Sequence, residues 1–187
     1  VREVFVFVVE LLAAIPSVIY GFWGIFVIIP LMHSAGDWLH EHLGEIVLFS
    51  TDPIGPGMLP AAVVLAIMVL PITTSLSRSS LEALPSELRA ASLGLGATRW
   101  ATVFHVLIPA AFSGFAGGVL LALGRALGET MAITMLIGNS NKLSFSLLAP
   151  GNTLASLLAN QFAEAKGLQV HALMYAALVL LLMTFAV

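Results

Sequence analysis

The chain has 187 residues, 59% of them hydrophobic and 9% charged, with a mean hydropathy of +1.05. A soluble domain carries about 25% charged residues, so there are too few here to clothe a water-facing surface, and a soluble globular protein is excluded. The formal net charge is −3, no lysine or arginine has a basic neighbour, and cysteine is absent; nucleic acid and polybasic lipid anchoring drop out as partners, together with disulfides, thiolate metal sites and cysteine nucleophiles.

At about 20 apolar residues per bilayer crossing, the length leaves room for four or five helices, and the expected class is an all-α, polytopic transmembrane bundle in contact with lipid. The sequence opens on Val1 and ends in the apolar run Leu178 to Val187, which is expected of a fragment of a longer polypeptide. Leu11 to Met32 is uncharged and long enough to span, with Pro16 marking the start of the spanning helix after a short interfacial helix containing Glu10. Residues 33 to 57 collect Asp37, Glu41, Glu45 and Asp52 among Gly and Pro breakers and are expected to be a polar loop, and Pro53 to Ser77 supplies a second crossing.

Arg78 to His105 is the most polar stretch. Ser79 to Glu82 has the spacing of a capping box, Pro85 and Ser86 are placed to stop one helix and start another, and Leu88, Ala91, Ser92 and Leu95 share a face of the second. Gly94 and Gly96 offer the positive φ that ends it, and Thr98 is placed to cap a segment through Trp100 and Phe104. Arg78, Arg89 and Arg99 put this stretch on the cytoplasmic side, against Lys142 and Lys166 in the 139 to 169 loop and no Lys or Arg in the first. Spacing alone leaves two readings, an interfacial amphipathic hairpin or a docking element for a cytoplasmic partner. From Val106 to Gly138 an apolar, Gly-rich run interrupted by Arg125 and Glu129 forms the third crossing. A turn at Pro150-Gly151-Asn152-Thr153 and a helical stretch from Leu154 to Ala165 precede a fourth crossing from Val170.

Arg125 and Glu129 stand i,i+4 in the third crossing, where a lone charge costs at least about 2.5 to 3.5 kcal/mol, so they are expected to face a cavity or the bundle interior. A guanidinium suits an oxyanion, and Glu129 would keep such a site from holding the anion too tightly. Thr130 and Thr134 follow as possible hydroxyl donors. Gly114 with Gly118, and Gly124 with Gly128, are each G-x-x-x-G and let another helix approach, whether from this chain or a partner. Tyr20, Trp23 and Trp100 fit interface or packing roles.

Several chemistries fail on inventory. The only lysines, Lys142 and Lys166, follow Asn and Ala, so no Walker A loop exists and energy must come from a partner. Gly94 to Arg99 lacks the strand and the last glycine of a dinucleotide fingerprint. His33, His40 and His42 lack H-E-x-x-H spacing and read as solvated loop residues rather than metal ligands. Asp37 and Asp52 lie in a loop, and Gly138-Asn139-Ser140-Asn141 lacks the final Gly of an intramembrane serine protease motif.

Ala90-Ala91-Ser92-x-x-x-Gly96, followed after nine residues by Val106-Leu107-Ile108-Pro109, resembles the EAA loop of ABC importer permeases, with Ala90 where that family usually has Glu. The resemblance implies docking into a groove of an ATP-hydrolysing subunit through residues 78 to 105, assigns Ala91, Gly96 and Pro109 to coupling along with Ala90, and leaves Glu87 or Arg89 to replace the missing carboxylate. Gly124-Arg125-Ala126-Leu127-Gly128-Glu129-Thr130-Met131-Ala132 is similar to a segment of the PstC-type permeases of phosphate ABC transporters. So are Leu12 to Gly21, Ile137-Gly138-Asn139, Pro150 to Thr153 and Ala159 to Ala165. This second resemblance implies that residues 1 to 187 are a permease domain of the cell (inner) membrane lacking its first part, because the family has six spanning helices. It places Arg125, Glu129 and Thr130 on a substrate path. It also implies a second permease, an extracytoplasmic phosphate-binding protein, and a cytoplasmic ATPase dimer that holds ATP and Mg, with no catalytic residue, metal or cofactor in this chain. A permease for sulfate or molybdate, and a non-transporting scaffold or sensor component, are the alternatives.

Overall fold

The structure, a computed structural model, describes residues 2–187, and of Arg2 the backbone alone; Val1 lies outside the described residues. Every regular element among them is helical. α1, Arg2–Ala14, stops where Pro16 bars the residue before it from helical geometry. α2 then spans Ser17–Leu43, α3 Met58–Glu82, α4 Ser86–Gly94, α5 Arg99–Ala110 and α6 Phe112–Gly128. The chain closes with α7, Met131–Leu136, α8, Leu154–Gln161, and α9, Leu168–Ala186. A proline ring inside a helix collides with the carbonyl four residues back. The π-helical turns Gly24–Ile28 and Val103–Leu107 end two residues before Pro30 and Pro109 and widen α2 and α5 enough to admit them.

α2, α3 and α9 are long and apolar enough to cross a membrane, and α5 with α6, bent by 63° at Ala111, makes a fourth span if the pair is taken as one. Helix ends depart from the sequence reading in a consistent way. α2 continues to Leu43 through residues expected as loop, because His33 Nδ1 meets Asp37 Oδ2 at 2.9 Å and His42 Nδ1 donates to the Trp38 carbonyl at 2.9 Å, both i,i+4 along the helix. α3 likewise runs on to Glu82, with Arg78 Nε donating to Glu82 Oε1 at 2.9 Å, so the capping box expected at Ser79 to Glu82 does not form. The third crossing is not one helix: it breaks at Ala111 and again at Glu129 and Thr130.

Contacts divide the chain into two compact units, one of residues up to Ala13 with Val69–Leu123, the other of Ala14–Met68 with Gly124–Val187. In the first, Phe5, Val6 and Val9 of α1 line a small cavity with Thr74, Ser75 and Arg78 of α3. There, too, Gly114 and Gly118 of α6 lie against α3; a Cβ at Gly114 would run into the Ser80 hydroxyl, and one at Gly118 would come 3.2 Å from Leu76 Cβ.

The core of the second unit is Val64, Leu136, Ala132 and Ile133, with Tyr20 and Ile28 of α2. α2 packs on α7 through its glycines: a Cβ at Gly21 would stand 3.2 Å from Ala132 Cα, and one at Gly24 would stand 2.8 Å from both Leu136 methyls. Residues 137 to 153 are irregular, yet backbone bonds tie both ends of the segment to the rest of the unit. Leu59 N donates to Leu147 O at 2.8 Å, Leu147 N to Leu48 O at 2.8 Å, and Gly151 N to Ile137 O at 2.9 Å. Gly138 (φ +87°) and Asn139 (φ +51°) make the turn into this segment. Thr153 and Ser156 cap α8 reciprocally, and the helix ends at Gln161, short of the expected Ala165.

Candidate functional site

Arg125 occupies the last turn of α6, and Glu129 lies beyond the helix end. The pair therefore does not sit on one helical face as the sequence spacing implied. Arg125 faces the negative end of the α6 dipole, while the Glu129 carboxylate sits over the first turn of α7, its Oε1 accepting from Ala132 N at 3.4 Å. Each charge is thus placed at the helix end of matching polarity, and the two form no ion pair within 4.0 Å among the described residues. Glu129 is buried, at 9% exposure, while Arg125 is exposed. Thr130 Oγ1 donates to the Gly128 carbonyl at 3.0 Å and so satisfies one end of α6. The Thr134 hydroxyl is buried without a hydrogen-bond partner among the described residues. Tyr20, read from sequence as an interface or packing residue, is buried at 6% exposure and within electrostatic reach of the Arg125 charge.

The two G-x-x-x-G motifs separate cleanly. Gly114 and Gly118 are consumed by packing within the chain, whereas a Cβ at Gly117, Gly124 or Gly128 would meet nothing within 4 Å. The glycines beside Arg125 thus leave an open helix surface.

The 78 to 105 stretch keeps most of its expected local chemistry. Gly96, at φ +86°, closes α4 in a Schellman motif: Gly96 N donates to Leu93 O at 3.0 Å and Ala97 N to Ser92 O at 3.2 Å. Gly94 is the last helical residue and has no such φ. Thr98 Oγ1 accepts from Ala101 N at 3.2 Å and caps α5. Glu87, Arg89, Ala90, Ala91, Gly96 and Pro109 are all exposed. So are Leu88 and Leu95, the latter at 90%, and Ser92 is the one buried residue of the expected apolar face. Its hydroxyl and that of Thr102 stand 2.9 Å apart and tie α4 to α5.

Residues 1–187 match the family described as binding-protein-dependent transport system inner membrane component. The chain belongs to this family. It is accordingly a multi-pass membrane protein of a transport-system family. Among curated members of the permease family it is 45% identical to the "Phosphate transport system permease protein PstC" of Xylella fastidiosa, over 96% of this chain and 57% of that protein. The protein of the same description from Haemophilus influenzae is 46% identical, over 94% of this chain and 58% of its own length. A "Probable phosphate transport system permease protein PstC" of Methanocaldococcus jannaschii is 41% identical, over 83% and 50% respectively. The chain thus spans about half the length of these curated relatives. No solved structure matches it.

Proposed function

We propose that this chain is part of the permease subunit of an ATP-driven phosphate importer. The observation that carries the reading is Arg125: a guanidinium exposed at the end of an apolar helix, with no carboxylate within 4.0 Å among the described residues. Such a charge is too costly to leave facing lipid, so it must meet water, an anion or another subunit. The curated relatives, described as phosphate transport permeases, support phosphate as the anion. The open surface at Gly124 and Gly128 then accepts a second permease, with Arg125 between the two chains on the substrate path, and Glu129 and Thr130 shaping the helix break beside it. The arginines at 78, 89 and 99 put the 78 to 105 stretch on the cytoplasmic side, where exposed α4 docks into an ATPase dimer holding ATP and Mg. Closure of that dimer moves α4, the Ser92 to Thr102 tie transmits the movement to α5, and the path opens to each side in turn. An extracytoplasmic binding protein supplies the phosphate.

The test is uptake of labelled phosphate by cells that lack their own importer and carry the full-length permease with its partner subunits. Arg125→Ala and Glu129→Ala are expected to abolish uptake while the subunits still purify together. Normal uptake by Arg125→Ala would refute the path role, and uptake competed by sulfate as well as by phosphate would move the substrate to oxyanions at large.

A further inference from the structure

We propose that a cleft in the second unit is an oxyanion-binding site on the extracytoplasmic face, at which inorganic phosphate is held by Lys142 and the neighbouring amides. The cleft, of about 480 Å³, lies between the 140 to 152 segment, α8 and α9, with Met58 in its wall. Its polar lining comes chiefly from Ser140, Asn141, Lys142, Asn152, Gln161 and Gln169, and no carboxylate lines it.

The hydrogen bonds inside the cleft decide its polarity. Asn152 Nδ2 donates to Asn141 Oδ1 at 2.6 Å and Gln169 Nε2 to Gln161 Oε1 at 3.4 Å, while Asn152 Oδ1, 3.3 Å from Ser156 Oγ, competes for its single proton with the Thr153 carbonyl at 3.0 Å. Two of the four amide oxygens, Asn141 Oδ1 and Gln161 Oε1, are therefore occupied as acceptors. The Asn141 and Gln161 amide nitrogens have no partner among the described residues, and Lys142 forms no ion pair among them. The residues lining the cleft thus bring one lysine and more unpaired N–H donors than acceptors, the complement of an oxyanion. The Gln169 oxygen, left over as an acceptor, suits an anion that still carries a proton, as phosphate does near neutrality and sulfate does not.

The side and the substrate rest on the function proposed above. α3 spans from Met58 to Glu82 with Arg78 near its cytoplasmic end, so Met58, and the cleft it lines, belongs to the opposite face. Phosphate held there waits at the outer mouth of the protein before it reaches Arg125.

Lys166, exposed and outside the cleft, supplies an internal control. The assembled transporter with the full-length permease is purified without its binding protein and exposed to an amine-modifying reagent, and the extent of modification at each lysine is read by mass spectrometry. With inorganic phosphate at several times its Kd, modification of Lys142 is expected to slow about fivefold and that of Lys166 not at all. Sodium chloride of equal ionic strength is expected to have no such effect. Asn141→Asp keeps the acceptor for Asn152 but adds a carboxylate beside Lys142, and is expected to remove the protection. Equal protection at both lysines, equal protection by chloride, or protection that survives Asn141→Asp overturns the proposal. Phosphate uptake by the same preparation in proteoliposomes, with binding protein added, separates the two readings. Uptake without protection overturns the cleft alone, whereas protection without phosphate uptake overturns the importer and leaves the cleft.

Discussion

Replacing Ser92 by alanine removes half of the hydrogen bond that fastens α4 to α5. Thr102 is 1% exposed and Ser92 8%, so the hydroxyl left behind has no access to water. A buried hydroxyl stripped of its partner costs about 1–3 kcal/mol. Nothing nearby offsets that loss, because the remainder of α4 is exposed. If the helix opens locally, amides in its C-terminal turn exchange faster by the corresponding Boltzmann factor, about 5- to 150-fold. The amides to watch are Leu95, Gly96 and Ala97, which donate to Ala91 O, Leu93 O and Ser92 O. Hydrogen exchange of peptides covering 86 to 97, in the assembled transporter with the full-length permease, measures it. Ser92→Ala combined with Thr102→Val removes both polar groups, so its penalty is expected to fall short of the summed single penalties by about 0.5 kcal/mol or more. Unchanged exchange in Ser92→Ala, or strict additivity in the double variant, refutes the idea that this bond holds the loop.

Two further substitutions probe the glycines. Gly138→Ala forces an L-residue to φ +87° and brings its Cβ 2.6 Å from Pro150 Cβ, so a loss of about 2 kcal/mol or more is expected, read as a lower thermal midpoint of the purified complex. Gly114→Leu meets Ser80 of α3 at once and is expected to abolish recovery of folded permease, whereas Gly117→Ala meets nothing and is expected to leave that recovery unchanged, both measured by size-exclusion yield.

The features legible in the sequence are those set by a few neighbouring residues. Pro16, Pro85, Gly96 and Thr98 stop, start, close and cap helices as their chemistry demands, and the four apolar stretches correspond to three spanning helices and one bent pair. The helix ends at Leu43 and Glu82 were hidden because polar composition reads as loop, while side-chain bonds at i,i+4 keep the same residues helical. Identical G-x-x-x-G spacing could not tell Gly114, pressed against Ser80, from Gly124, which faces open space; that depends on which helix lies opposite. The break at Glu129 was hidden for a different reason. Its neighbours Ala126, Leu127, Met131 and Ala132 all favour helix, and the break becomes visible only once α7 is seen packed on α2 through Gly21.

That break makes Glu129 the residue whose role is easiest to mistake. Its carboxylate accepts from Ala132 N and could serve as nothing more than a local cap for α7. Glu129→Gln separates the capping bond from the charge, because the amide oxygen preserves an acceptor of the same reach while the negative charge is lost. A purely structural role therefore leaves the glutamine variant as active as the wild type and makes Glu129→Ala the damaging change. A role for the charge beside the substrate path predicts the reverse for glutamine: full assembly with partner subunits, but phosphate uptake reduced about tenfold or more, since a lost electrostatic contribution of about 1.4 kcal/mol to the rate-limiting step is a factor of ten. The second outcome is expected, because a buried carboxylate costs more to desolvate than the neutral amide that would make the same hydrogen bond, so capping alone does not account for a charge at this position. Uptake by Glu129→Gln at the wild-type rate would reduce Glu129 to a helix cap and leave Arg125 alone on the path.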